Sequence, residues 1–117
     1  MKNEGLKFDT GKQPWYAMPL EVLEPLADVF AAGEKKYEVF NCLQPFKDGS
    51  RRFYDGQMRH TVATQRNPLA IDPELQEKYG VEVYELAQVA FNALMRLHHA
   101  RREAQAAHDA EEFDRNI

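Results

Sequence analysis

"VEVYELAQVAFNALMRLHHA", residues 81–100, is the stretch on which the fold turns. At about 100° per residue, Leu86, Ala90, Ala93, Leu94 and Leu97 form an apolar stripe. Glu85, Gln88, Asn92, Arg96 and His99 line up on the opposite side. A polar stripe of this kind reads first as a solvated helix face. Two details favour an inward reading. Gln88 and Asn92 are neutral amides, less typical of an outer face than Glu and Lys. Val89, Phe91 and Met95 flank the stripe, so the helix is apolar nearly all round, as buried helices are. Polar side chains carried inside need partners, and a carboxylate there needs a cation. The pattern predicts a long helix from about Val81 past Ala104.

Outward from that helix, "RRFYDGQMRHTVATQR", residues 51–66, is also helical, with Ser50 as its N-cap and Asn67-Pro68 as its stop. Tyr54, Met58, Thr61, Val62 and Gln65 share one face. Asp55 and Arg59 are i and i+4, which makes them an ordinary helical ion pair or part of a site. His60 points away from Asp55 and clusters with Phe53 and Gly56, so this helix serves two faces. Gly56 lets a neighbouring backbone or ligand come close. Upstream, "PLEVLEPLADVFAAGEKKY", residues 19–37, is a third helix bounded by Pro19 and Gly33, with Pro25 either starting or bending it. Leu20, Leu23, Leu26, Ala27 and Phe30 share a face. Glu21, Glu24 and Asp28 share another, either solvated or able to supply oxygen ligands to a hard cation. Residues 1–18, 34–50 and 67–80 read as ordered loops, with a helical turn after Asp72. Lys7, Lys12, Lys35 and Lys36, in the company of Trp15, Tyr16 and Tyr37, are candidates for phosphate contacts or merely solubilising. Residues 105–117 have helix propensity but little to bury and are expected to fray. No segment alternates as a strand does. The expected fold is all-α: a small bundle of three main helices plus ordered loops, one domain over residues 1–117.

Composition bounds the function. The chain has 117 residues, 44% of them hydrophobic, a net charge of −4 and one cysteine, Cys42. An acidic chain is ill suited to duplex nucleic acid, which demands a basic stripe. The single cysteine allows no internal disulfide, and no apolar run is long enough for a secretory signal or a membrane span. A cytoplasmic location is expected. A domain this small buries only about two thirds of its unfolded surface, so leftover apolar faces favour a homodimer or homotetramer.

Taken in order, "LKFDTGKQPWY", "GEKKYEVFN", "DGQMRH", "IDPE" and "YELAQVAFN" resemble the motifs of the small phage and bacterial dATP/dGTP diphosphohydrolase domain. That domain is a branch of the MazG-like all-α nucleoside triphosphate pyrophosphohydrolases, and the likeness covers residues 6 to 97. Lys7, Asp9, Gly11 and Lys12 match its opening motif, although Gln13 intervenes before Pro14. Gly33, Lys36, Tyr37 and Asn41 match the second, with Glu34 in place of alanine and Cys42 in place of tryptophan. Asp55, Arg59 and His60 match the third, Asp72 and Glu74 the fourth. Glu85 and Gln88 stand where two histidines are usual, and Asn92 matches the asparagine that follows. The resemblance implies cleavage of a deoxynucleoside triphosphate, with purine substrates, to monophosphate and pyrophosphate with Mg2+ or Mn2+. It implies Asp55 and Glu85 as metal ligands, with Glu21 and Glu24 as further candidates. His60 would orient a ligand or be structural. Lys12, Lys36 and Arg59 would hold the phosphates, and Tyr37, Asn41 and Asn92 would shape the sugar or base pocket. Lys7, Asp9 and Gln88 are further substrate-binding candidates. Two other functions fit parts of the sequence: an HD-type phosphohydrolase using His60, His98-His99 and His108-Asp109, and a non-enzymatic helical interaction module.

Overall fold

The computed structural model describes residues 5–8 and 10–116. It is all-helical: α1 (Leu20–Lys36), α2 (Gly49–Ala63), α3 (Pro73–Tyr79) and α4 (Glu85–Arg115), with short 3-10 turns at Trp15–Ala17 and Asn41–Leu43. The three expected main helices are α1, α2 and α4. The turn expected after Asp72 is the two-turn helix α3. Its caps are legible: Asp72 accepts the first free amides, Pro73 stands where no donor is needed, and Gly80, at φ 66°, supplies the left-handed stop. Pro25 lies inside α1 and neither starts nor ends it. α4 continues as helix through Arg115, its last turns wholly exposed. Among the described residues no helix is long and apolar enough to cross a membrane.

α2 and α4 run antiparallel and form the most extensive packing in the molecule. Glycines make that approach possible. A Cβ on Gly49 would meet the His99 ring at 3.3 Å, and one on Gly56 would lie 2.6 Å from Asn92 Oδ1. The two glycines lie seven positions apart and so do their partners, so each pair recurs after two helical turns. Between them Phe53 stacks on His99, centroids 5.1 Å apart, and meets Phe91 edge-on at 6.2 Å. Farther along, Gln57 Oε1 accepts a 3.0 Å bond from Arg96 Nη1. The apolar core lies between α1, α3 and the start of α4: Val29, Ala32, Leu75, Val83 and Ala87, with Tyr79, Val81 and Phe91 packed against it.

The faces of α2 and α4 are reversed from a simple reading of apolar residues as inward. Glu85, Asn92 and His99 are buried, whereas Leu86, Ala90, Ala93, Leu94 and Leu97 are exposed. On α2 the shared face of Tyr54, Met58 and Val62 is exposed too, while Gly49 and Gly56 are buried. Small and polar residues make the closest α2–α4 contacts, joined by Phe53, Phe91 and the buried Met95, while Tyr54, Met58, Val62, Leu86, Leu94 and Leu97 look out.

Candidate active site

A single antiparallel bridge, Ile71 to Tyr84, sets the geometry. The Asp72 amide donates to the Val83 carbonyl and the Glu85 amide to the Ala70 carbonyl, both at 2.8 Å. This pairing fixes the first turn of α3 beside the first turn of α4. Asp72 therefore meets Glu85 although twelve residues separate them. Asp72 is the N-cap of α3: Oδ1 accepts from the amides of Glu74 at 3.0 Å and Leu75 at 3.3 Å. Its other oxygen accepts from Gln88 Nε2 at 3.1 Å. Glu85 opens α4, where the partial positive charge of the helix terminus favours a carboxylate. His60, in the last turn of α2, completes the group, its Nδ1 2.5 Å from Glu85 Oε2.

His60, Asp72 and Glu85 each offer one donor atom within 4.8 Å of the other two. Asp72 and Glu85 are only 6% and 5% exposed. Donors held about 2.0–2.2 Å from one ion lie at most about 4.4 Å apart, so a shared divalent cation fits with little movement. The set of one imidazole nitrogen and two carboxylates suits Mn2+ or a similar transition ion, and accommodates Mg2+ less readily. Gln88 holds Asp72 and is itself held: Asn92 Nδ2 donates to the Gln88 carbonyl at 2.8 Å.

Next to this cluster is a cavity of about 540 Å³, lined in part by His60, Gln88 and Asn92. Phe46, Phe53 and Phe91 give it an aromatic wall, and Asn41 and Asn92 add amides. Lys36, Arg52 and Arg59 bring positive charge to it. Burial works against the Lys36 ammonium, but the Tyr37 hydroxyl, Glu74 and Tyr79 outweigh it and hold its pKa above the ordinary lysine value. Its Nζ lies 3.6 Å from Glu74 Oε1. Burial pushes the Cys42 thiol up; this residue also lines the cavity.

The candidate residues thus divide. Glu85 and His60 meet in the cluster, and Lys36, Tyr37, Asn41, Arg59, Gln88 and Asn92 line the cavity. Asp55 is exposed and lies outside both, because it sits about 140° around α2 from His60. Glu21 and Glu24 are exposed on the first turns of α1, away from the cluster. Lys7 and Lys12 are exposed on the N-terminal segment and do not line the cavity; Asp9 lies outside the described residues. The residue not singled out for the metal was Asp72. Its signal lies in "IDPE", but only the bridge between Ile71 and Tyr84 brings that aspartate beside Glu85. Arg52, Phe46 and Phe53 were likewise not assigned to a site. Among the described residues the cluster is the one such convergence of metal-ligating side chains. Of the histidines of the HD reading only His60 belongs to the cluster: His99 Nε2 bonds the Cys42 carbonyl at 2.8 Å, and His108 pairs with Glu112 on the exposed end of α4.

No curated protein and no solved structure matches the chain. The sequence model of the dATP/dGTP diphosphohydrolase N-terminal family matches residues 2–110, nearly the whole length and every element that builds the cluster and the cavity. On that match the chain belongs to the dATP/dGTP diphosphohydrolase N-terminal family.

Proposed function

We propose that the chain is a divalent-cation-dependent pyrophosphohydrolase that converts purine deoxynucleoside triphosphates to the monophosphate and pyrophosphate. The carrying observation is the half-buried His60 converging with the buried Asp72 and Glu85 beside a cavity that is aromatic on one wall and cationic on another. Among the described residues neither buried carboxylate meets a lysine or arginine; hydrogen bonds and His60 satisfy them in part, and a cation would balance the charge they carry, which speaks against a plain interaction module. Bound there, a divalent ion would neutralise triphosphate charge and lower the pKa of a water. The chain's own groups do the rest. Arg52, Arg59 and Lys36 hold phosphate oxygens, and such positioning and charge compensation make up most of phosphoryl-transfer catalysis. Phe46, Phe53 and Phe91 take the flat base, and Asn41 and Asn92 offer amide edges to it. Gln88 keeps Asp72 oriented. The family's name supports dATP and dGTP as the substrates.

The outward apolar face of α2 and α4 supports self-association as a homodimer or homotetramer. Tyr54 and Leu97 line one shallow groove on it together with Ala93 and Ala100.

The test is a panel of deoxynucleoside triphosphates with Mg2+ and with Mn2+, products separated by ion exchange. The reading expects monophosphate and pyrophosphate in equal amounts, purines ahead of pyrimidines and Mn2+ ahead of Mg2+. Deoxynucleoside with intact triphosphate, or stepwise release of orthophosphate, would replace it with another phosphohydrolase chemistry. No turnover and no cation-dependent nucleotide binding would leave an interaction module.

A further inference from the structure

The aromatic wall of the cavity is held from behind by a residue that does not line it. His99 is only 2% exposed and lies outside the cavity lining, but three of its neighbours belong to that lining: Phe46, Phe53 and Cys42. Its ring lies nearly flat against Phe53, with centroids 5.1 Å apart and planes 10° from parallel, and tilts against Phe46 at 5.5 Å. The two phenylalanines meet each other edge-on at 5.8 Å, so the three rings fix one another. At the ring edge, Nε2 lies 2.8 Å from the Cys42 carbonyl oxygen. A carbonyl can only accept, so Nε2 carries the proton and donates. The other side is closed by Gly49, where an added Cβ would lie 3.3 Å from Nδ1.

The turn that His99 grips does not hold itself. Asn41–Leu43 is a single 3-10 turn entered from Phe40 at φ 63°. A left-handed backbone is costly for a bulky side chain and persists only where surrounding contacts fix it. The start of α2 is reached through a second such residue, Asp48 at φ 55°. α4 supplies the anchors between them. Arg102 Nη1 donates to the Leu43 carbonyl at 2.6 Å, and His98 Nε2 lies 3.4 Å from the same oxygen. Of the three anchoring side chains only His99 is buried, and it is the one stacked on Phe53.

We propose that His99 is a positioning residue for the nucleobase: it holds Phe53 and Phe46 as one rigid face and the Asn41–Leu43 turn as the adjoining edge, and so sets the purine preference of the cavity. The inference rests on reading the cavity as a nucleotide site and adds what keeps that site in shape. Both contacts call for an imidazole, which combines a flat face for Phe53 with a donor in the ring plane for Cys42. Phenylalanine would keep the face and leave the carbonyl without its donor; glutamine would keep a donor and lose the face.

His99→Phe and His99→Gln therefore separate the two contacts. Without nucleotide, alkylation of Cys42 by iodoacetamide reads the grip on the turn, with urea midpoints measured alongside to separate local from global opening. His99→Phe is expected to react about three- to tenfold faster than wild type, the span that one lost hydrogen bond allows, and His99→Gln at close to the wild-type rate. Equal rates for wild type and a folded His99→Phe overturn the proposal. In steady state with Mn2+, His99→Gln is expected to raise KM for dATP and dGTP by about three- to tenfold through the lost stack, with kcat within about twofold of wild type. KM for dCTP and dTTP should change less, and Mn2+ affinity should not change. This second variant decides the matter if His99→Phe fails to fold. A fall in kcat with the purine-to-pyrimidine ratio of kcat/KM unchanged is what a merely structural residue gives, and overturns the proposal. The thiol measurement needs no turnover: an inactive wild type sinks the pyrophosphohydrolase reading, while the Cys42 rates still establish His99 as the anchor of this wall or remove it.

Discussion

Glu85 is buried with its Oε2 2.5 Å from His60 Nδ1 and Asp72 within the same few ångströms, and each member of this group has a different failure mode. Glu85→Gln and Asp72→Asn keep shape and remove charge. Both are expected to lower kcat by at least about 100-fold while circular dichroism shows an unchanged fold. Gln88→Ala removes the 3.1 Å bond that orients Asp72; outer partners of metal ligands are worth about 10–100-fold in metal affinity, and calorimetric titration with Mn2+ should show a loss in that range. Cys42 offers a probe that does not depend on turnover. Because burial raises its pKa, the thiolate forms only above the pH of a free thiol. Alkylation by iodoacetamide should be slow at neutral pH, its pH midpoint should lie above that of free cysteine, and bound dATP or dGTP should slow it further. Rapid labelling that nucleotide leaves unchanged would remove Cys42 from the cavity wall. At this scale Glu85 was legible because it opens a helix apolar nearly all round. Asp72 was not, because its place depends on the bridge between Ile71 and Tyr84, a pairing that no helical period encodes. Asp55 has the right chemistry and the right motif, but α2 can turn only one side to α4, and His60 and Gly56 are on that side.

Between elements, the α2–α4 contact is set by what the helices lack. Gly56→Ala puts a methyl 2.6 Å from Asn92 Oδ1 and is expected to cost about 1–3 kcal/mol by overpacking, read as a lower urea midpoint with an unchanged slope. Gly33, also within a helix, has nothing within 4 Å of an added Cβ. Gly33→Ala should therefore stabilise by about 0.5–1 kcal/mol through reduced freedom of the unfolded chain. Opposite signs at two helical glycines would be hard to obtain if the α2–α4 packing were otherwise. The existence and type of α1, α2 and α4 followed from periodicity, but α1 runs through Gly33 to Lys36, and α2 begins at Gly49 with Asp48 rather than Ser50 at its N-cap. The inward side of α4 followed from its neutral amides and their apolar flanks, since Glu85 and Asn92 are buried; the exposure of its leucine stripe did not, because periodicity finds an apolar stripe but not what covers it. Leu86, Leu94 and Leu97 form the clearest stripe in the sequence, and within one chain they look outward.

For the whole molecule, that outward stripe makes self-association a stability question. A charge in the middle of it, Leu97→Glu, is expected to lower the mass measured by light scattering from dimer or tetramer to monomer, with a lower melting temperature. A monomeric wild type at micromolar concentration would remove the assembly from the account. All-α architecture was legible at this scale, but the radius of gyration of 19.3 Å was not, since neither composition nor length distinguishes a compact bundle from an extended one. The larger claim is that separate helices, α2, α3 and α4, bring His60, Asp72 and Glu85 to one cation beside a nucleotide cavity. Anomalous diffraction at the manganese edge, from crystals grown with Mn2+, tests it most directly. The account predicts a peak bonded to all three side chains; a peak on Asp55, Glu21 or Glu24 instead, or none at the cluster in crystals whose protein is active with Mn2+, would contradict it.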